Sequence, residues 1–202
     1  MEPNDAKVRT VEGRELPPVG RWAIDPAHSE LQLLARHMMI SKVRGHFREH
    51  EGWLDIAERP EDSRVDVTIR AASIDTGDAQ RDAHLRSPDF LDVERFPDIT
   101  FHSTSVRPAG AEDRYELVGD LTIRDVTRPV TLDVGFEGVA VDPSGALRTG
   151  FMASGEINRE DFDLTWNQAL ETGGFLVGKG IRVEVDVEAV PVLPRLPPGS
   201  SK

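Results

Sequence analysis

The sequence predicts an all-β fold: about eight antiparallel strands closed into a barrel, with one or two short helices in a single long connection. Three observations carry this. Period-2 alternation of apolar and polar residues dominates the chain. The polar positions of each alternation are largely charged, which denotes antiparallel sheet with one wet face, because covered parallel strands are apolar on both sides. Helix-like patterning is confined to two short stretches.

Taken in chain order, residues 1–19 are polar, end near Pro17 and Pro18, and read as a flexible N-terminal arm. A weak strand signal at Trp22–Asp25 opens the domain, which is expected to run over residues 20–190. Leu31, Leu33 and Ala35 alternate with Glu30, Gln32 and Arg36, and a further strand signal spans Gly45–Ile56. Val65, Val67, Ile69 and Ala71 alternate with Arg64, Asp66, Thr68 and Arg70. Asp78–Phe96 breaks the pattern; it is rich in charge and helix formers and reads as one or two short helices. Strand signals resume at Ile99–Val106, Leu117–Arg124, Val130–Glu137, Phe151–Ile157 and Ile181–Glu188. Between the last two, Thr165–Thr172 reads as a short turn of helix stopped by Gly173 and Gly174. Residues 191–202 hold four prolines and form a tail of polyproline character. Such strands either stack as two sheets or close on themselves. Small residues at inward positions (Ala35, Gly119, Ala153, Gly155) suit a taper or cavity, which favours the barrel.

Composition narrows the function. Lys and Arg number 24 against 36 Asp and Glu, a net charge of −12, so the chain as a whole offers no electrostatic footprint for nucleic acid or an anionic membrane surface. The absence of cysteine removes disulfides, cysteine nucleophiles, thiolate zinc sites and Fe–S clusters. No apolar run approaches the ~18 residues of a membrane span. The N-terminus has no apolar leader segment, so the expected location is the cytoplasm.

Candidate chemistry is sparse. His46–His50 (HFREH) matches the spacing of a helical zinc motif, but its surroundings read as strand, where residues four apart lie ~13 Å from each other. Solvent-facing histidines are the expectation there. His37 continues the inward parity of Leu31, Leu33 and Ala35; it is either a hydrogen-bonded core histidine or a polar anchor inside a cavity. The run Arg81–Phe90 places Arg81, Asp82, His84, Arg86 and Asp89 beside Leu85 and Phe90. It reads as an ion-pair and capping network, with Ser87 as a helix N-cap before Pro88, or as a polar gate at a cavity mouth. Asn158–Phe162 reads as turn chemistry. Nothing assembles a nucleophile, a base and an orienting group.

Strand parity predicts an interior lined by Leu33, His37, Phe47, Val67, Ile69, Phe101, Leu121, Phe136 and Val185. Phe90, with Phe96, is expected to hold Asp78–Phe96 down as a cover over one end.

Four stretches, WAIDPAHSELQLLARHMMISKVRGHF, ASIDTGDAQRDAHLRSPDFLDVERFPDITFHSTSV, GDLTIRDVTRPVTLDV and ASGEINREDFDLTWN, follow in this order. Together they resemble the YceI-like family of bacterial polyisoprenoid-binding proteins from about Gly20 to Ala189. Asp125 stands where glycine is common in that family, and Leu91 where a second Phe often follows Phe90. The resemblance implies an extended, lipocalin-like barrel holding a long-chain apolar ligand such as a polyisoprenoid or isoprenoid quinone, with no cofactor and no metal. Family members are often dimers, so a homodimer is expected. Apart from the lipid, neither nucleic acid nor a transmembrane segment is expected. The implied role is non-catalytic binding, transport or storage; the alternative is an enzyme acting on the bound isoprenoid with His37 as acid–base group.

Overall fold

The computed structural model describes residues 9–11, 13–38, 40–110, 113–170, 174 and 176–192. Among the described residues thirteen strands are formed. They are β1 (Arg9–Val11), β2 (Arg14–Leu16), β3 (Gly20–Ile24), β4 (Glu30–His37), β5 (Ser41–Phe47), β6 (His50–Ile56), β7 (Arg64–Arg70) and β8 (Ile74–Asp75), followed by β9 (Asp98–Pro108), β10 (Arg114–Ile123), β11 (Val126–Val141), β12 (Leu147–Asn158) and β13 (Val177–Pro191). Among the described residues one α-helix is formed, α1 (Ala79–Arg86), between β8 and β9.

Several of these strands are halves of one longer strand. β3 and β4 both pair antiparallel with β13, β3 through Trp22–Ile24 and β4 through Glu30–His37. β5 and β6 are separated by residues 48–49, and β7 and β8 by a 3-10 turn at Ala71–Ser73. Counted as continuous strands, β3/β4, β5/β6, β7/β8, β9, β10, β11, β12 and β13 make an eight-stranded up-and-down meander. The pairing of the last strand, β13, with the first, β3/β4, closes it into an antiparallel barrel. Closure removes the two terminal edges that an open meander of this size would present.

The breaks in the first three long strands lie at one height and shift the parity of each. Trp22 and Ile24 are buried in β3, whereas Leu31, Leu33 and Ala35 turn inward in β4. Phe47 is buried in β5, and His50, Gly52 and Leu54 in β6. Backbone bonds such as Arg48 N–H to Ser73 C=O (3.2 Å) and Arg70 N–H to Glu49 C=O (2.9 Å) tie this corner together. The interior consequently has two layers. Trp22, Leu54 and Ala189 fill the lower one. Leu31, Phe47, Ala71, Ile74, Leu91, Ile99, Ile123, Phe162 and Leu164 form the upper one.

Four local expectations are corrected. Within the arm expected at 1–19, Arg9–Val11 and Arg14–Leu16 pair as a hairpin, with Leu16 and Pro17 buried; residues 1–8 lie outside the described part. This hairpin is docked on the barrel because the Arg9 guanidinium donates to the carbonyls of Pro17, Ala57 and Glu58. Helix α1 is capped by Asp78, whose carboxylate accepts from Arg81 N–H at 2.9 Å. Ser87 is its C-cap and not an N-cap; the residue before a proline is disfavoured in the helical region, so the helix stops at Arg86. Residues 165–170 are not helical. Asn167 holds them extended through a reciprocal pair with Val177, Nδ2 to C=O at 2.8 Å and N–H to Oδ1 at 3.1 Å. Residues 171–173 lie outside the described part. At the other terminus, Pro191 still pairs with Trp22, and residues 193–202 lie outside the described part.

Candidate functional site

The upper layer is hollow. A cavity of about 590 Å³ opens at the end of the barrel bounded by the β4–β5 hairpin, α1 and the segment before β13. Its wall is apolar. Leu31, Leu33 and Ala35 come from β4, Val43 and Phe47 from β5, Ile69 from β7, Leu121 and Ile123 from β10, and Ile181 and Val183 from β13. Each set shares one face of its strand by the period-2 rule. Leu85, Phe90 and Leu91 close one side from α1 and the turn after it, and Leu164, Trp166 and Leu176 close the other. Polar side chains gather where α1 and the strand ends meet the opening: His37, Thr76, Asp78, Gln80, Arg81 and His84.

The sequence-predicted residues divide in two. Leu33, His37, Phe47, Ile69, Phe90 and Leu121 line this cavity, whereas Val67, Phe101, Phe136 and Val185 do not. The last four face the interior at another level of the barrel, because parity assigns a face and says nothing about height. Val67 pairs with Gly52 and Phe101, and the Phe101 ring lies over Gly119, so this level is packed. Phe136 stacks at 5.4 Å on Phe151, which belongs to the lower layer. Val185 packs on the upper core beneath the cavity wall.

The Arg81–Phe90 run is a pinning network built on backbone groups. Asp82 is buried and accepts from Thr76 N–H (2.9 Å) and Oγ1 (2.6 Å). Arg81 donates to Thr76 Oγ1 and C=O, and Arg86 to the carbonyls of Ala72 and Ile74. His84 is held edge-on between Phe90 and Trp166, at 5.1 and 4.5 Å, with Nε2 at 2.9 Å from Asp89. An aromatic rim therefore joins α1 to the segment before β13.

Arg159, expected in turn chemistry, has a larger structural part. It is 3% exposed and follows Asn158, whose side chain caps a 3-10 turn over Arg159–Phe162. Nε donates to Gly178 C=O (3.0 Å), and Nη1 to the carbonyls of Trp166 (3.0 Å) and Leu164. The planar fork thus fixes both ends of the segment carrying Trp166 and Leu176. Burial lowers its pKa from the ordinary value. Trp166, Leu164 and Leu176 were missed as lining residues because they sit outside any periodic pattern.

The HFREH histidines lie on strands, as expected, but one corrects the solvent-facing expectation. His46 stands 2.7 Å from Glu30, while His50 is buried because the 48–49 break returns it to the inner face. Burial depresses the His50 pKa below the usual imidazole value. The donor atoms of Asp25, His28 and Glu188 lie within 4.8 Å of one another. Arg148 already occupies that cluster, with Nη1 at 2.7 Å from Asp25 and 2.5 Å from Glu188, so its charge is met by a guanidinium.

Comparison with known proteins agrees with this architecture. A family model described as the YceI-like domain matches residues 22–189. A UPF0312 protein of Staphylococcus epidermidis is 39% identical over 170 residues, covering 83% of this chain and 96% of the relative. Among solved structures, a YCEI protein of Campylobacter jejuni superposes with a TM-score of 0.67 at 29% identity, over 78% of this chain and 90% of that one. A polyisoprenoid binding domain from Saccharophagus degradans superposes with a TM-score of 0.63 at 13% identity, over 85% and 98% of the two chains.

Proposed function

Because the chain belongs to the YceI-like family and its barrel encloses an apolar cavity of about 590 Å³, we propose that it binds and carries a long-chain apolar ligand. A polyisoprenoid, an isoprenoid quinone or a related lipid fits the description. The observation that carries the reading is a predominantly aliphatic and aromatic lining with most polar side chains at the opening, the buried Arg159 being the charged exception. That arrangement orients an amphiphile with its chain inside and its head at the rim. Each buried methylene contributes ~0.8 kcal/mol, so a chain binds tightly with no chemistry done on it. The solved domain described as polyisoprenoid binding shares the fold at low identity and supports the same class of cargo.

The rival reading makes His37 an acid–base catalyst. Such a group is ordinarily oriented by a second side chain; among the described residues the His37 imidazole has no hydrogen-bond or ion-pair partner. This favours the carrier. A cytoplasmic location and a homodimeric state belong to the same proposal, and cell fractionation and light scattering test them.

Native mass spectrometry of freshly purified protein, followed by lipid extraction, is the direct test. Co-purifying lipid is the expected result, and its loss is expected in Ala35→Phe, which fills the cavity from β4 while stability holds. An Ala35→Phe protein with unchanged lipid content, or a wild type that takes up neither lipid nor apolar dye, overturns the proposal.

A further inference from the structure

The β4–β5 hairpin beside the cavity opening has a surface unlike the rest of the molecule. At its tip Ile40 is 82% exposed and Met38 37%. The tip is anchored to the far side of the opening by Met38 N–H, which donates to Leu176 C=O at 2.8 Å. Residues 31–48 contain no acidic residue in a chain that has 36. They contribute Arg36, Lys42, Arg44 and Arg48, all exposed. Arg48 is paired with Asp75 at 3.0 Å, but Arg36, Lys42 and Arg44 have no ion-pair partner among the described residues. Arg36 faces Lys42 across the two strands, and Leu34 lies between Arg44 and Arg182 in the next row. On the α1 side of the same opening stands Asp78, an exposed acid. One flank of the mouth is therefore apolar and cationic.

We infer that this hairpin is a docking surface for an anionic lipid bilayer, with Ile40 and Met38 entering the headgroup boundary and Arg36, Lys42 and Arg44 facing lipid phosphates. The inference rests on the carrier reading for its purpose. An apolar chain that crossed water on its way into the barrel would expose every methylene, and a mouth pressed to the membrane removes that step. The chain's net charge of −12 predicts repulsion from anionic lipid, but fields are screened beyond about 8 Å at physiological salt. The local patch therefore decides the contact. Two apolar side chains and three cations give reversible attachment, as a shuttle requires.

The test uses the full chain and vesicles of phosphatidylcholine, with or without about one-third phosphatidylglycerol. Flotation is expected to recover the protein with the anionic vesicles and to lose it as salt rises. Ile40→Asp and the double variant Lys42→Glu, Arg44→Glu are each expected to bind about tenfold or more weakly. Both should take up a dispersed apolar dye as the wild type does, and both should draw dye from preloaded anionic vesicles more slowly. Dye uptake by a wild type that binds no vesicles overturns the docking surface and leaves the carrier intact. Vesicle binding by a wild type that takes up no dye overturns the carrier and leaves the docking surface standing. Variants that bind as the wild type does also overturn it. Retention of polyglutamate without vesicle binding assigns the patch to an acidic protein, and a changed oligomeric state in Ile40→Asp assigns it to a second copy; either result overturns the inference.

Discussion

At Gly119 an added methyl would lie 2.3 Å from Phe101 Cζ and 2.7 Å from the His102 carbonyl oxygen. The glycine sits at a register shift between β9 and β10, and the Phe101 ring covers it, a recurrent way of restoring packing over a strand glycine. Gly119→Ala is expected to cost about 1–3 kcal/mol by overpacking, read as a lower urea midpoint with unchanged slope. Phe101→Leu in the same chain should recover only part of that, because the His102 carbonyl remains in the way. A Gly119→Ala protein as stable as the wild type would mean that the ring does not rest there. At Arg159 the argument is about polar groups. Arg159→Met removes the donors to the Gly178, Leu164 and Trp166 carbonyls, which should cost about 3 kcal/mol of stability. Arg159→Lys should not rescue it, since an ammonium cannot span the carbonyls that a planar fork reaches. A fully restored urea midpoint in the Lys variant would refute that geometry.

Among the elements, Asp78–Phe96 and the segment before β13 both border the opening and are held differently. Helix α1 is fixed to the strands by Asp82, Arg81 and Arg86, and the turn after it buries Phe90, Leu91 and Asp92. Residues 164–170 make only a few backbone bonds, such as Leu170 N–H to Gly174 C=O (3.1 Å) and Leu176 N–H to Gln168 C=O (2.9 Å), and otherwise depend on Arg159 and Asn167. Elements with few backbone bonds open first. Amide exchange is therefore expected to be slow across 82–92 with or without lipid. Across 164–170 it should be fast in the empty protein and slow once lipid is bound. Fast, ligand-sensitive exchange in α1 would make the helix the moving part instead.

For the whole molecule, the far end of the barrel is closed by charge as well as by Trp22. Arg148 bridges Asp25, Asp142 and Glu188, linking the loop after β3, the β11–β12 turn and β13. The guanidinium, with His28 beside it, lowers the Asp25 pKa from 3.8 to about 2. Ser144 and Arg148 hold the Asp142 carboxyl below its usual value too. A depressed carboxyl pKa contributes stability that is complete above the unfolded value and disappears as pH falls through the folded one. The melting temperature should therefore fall between about pH 4 and pH 2, the interval bounded by the two Asp25 values. Arg148→Gln should lower it near neutrality and flatten that acid limb. An acid limb of the same steepness in the variant would show that other carboxylates govern it.

The sequence by itself determined the long strands of the barrel and the inward face of each uninterrupted run, because alternation is a local property that any half-buried strand must carry. Leu31, Leu33 and Ala35, or Ile181 and Val183, could be assigned to the interior from their neighbours alone. It also carried the motifs by which the family is recognised. Only the tertiary structure decided where along the barrel the interior is empty. Phe101 and Leu33 share an inward parity, yet Phe101 meets Gly119 from another strand while Leu33 meets open space. His50 turned inward because a two-residue break reset its strand's parity at a corner shared with its neighbours. Arg159 became a clasp, and Trp166 part of the wall, through backbone carbonyls that no periodic pattern marks. Faces are set by adjacent residues, whereas height and enclosure depend on contacts between residues far apart in the chain.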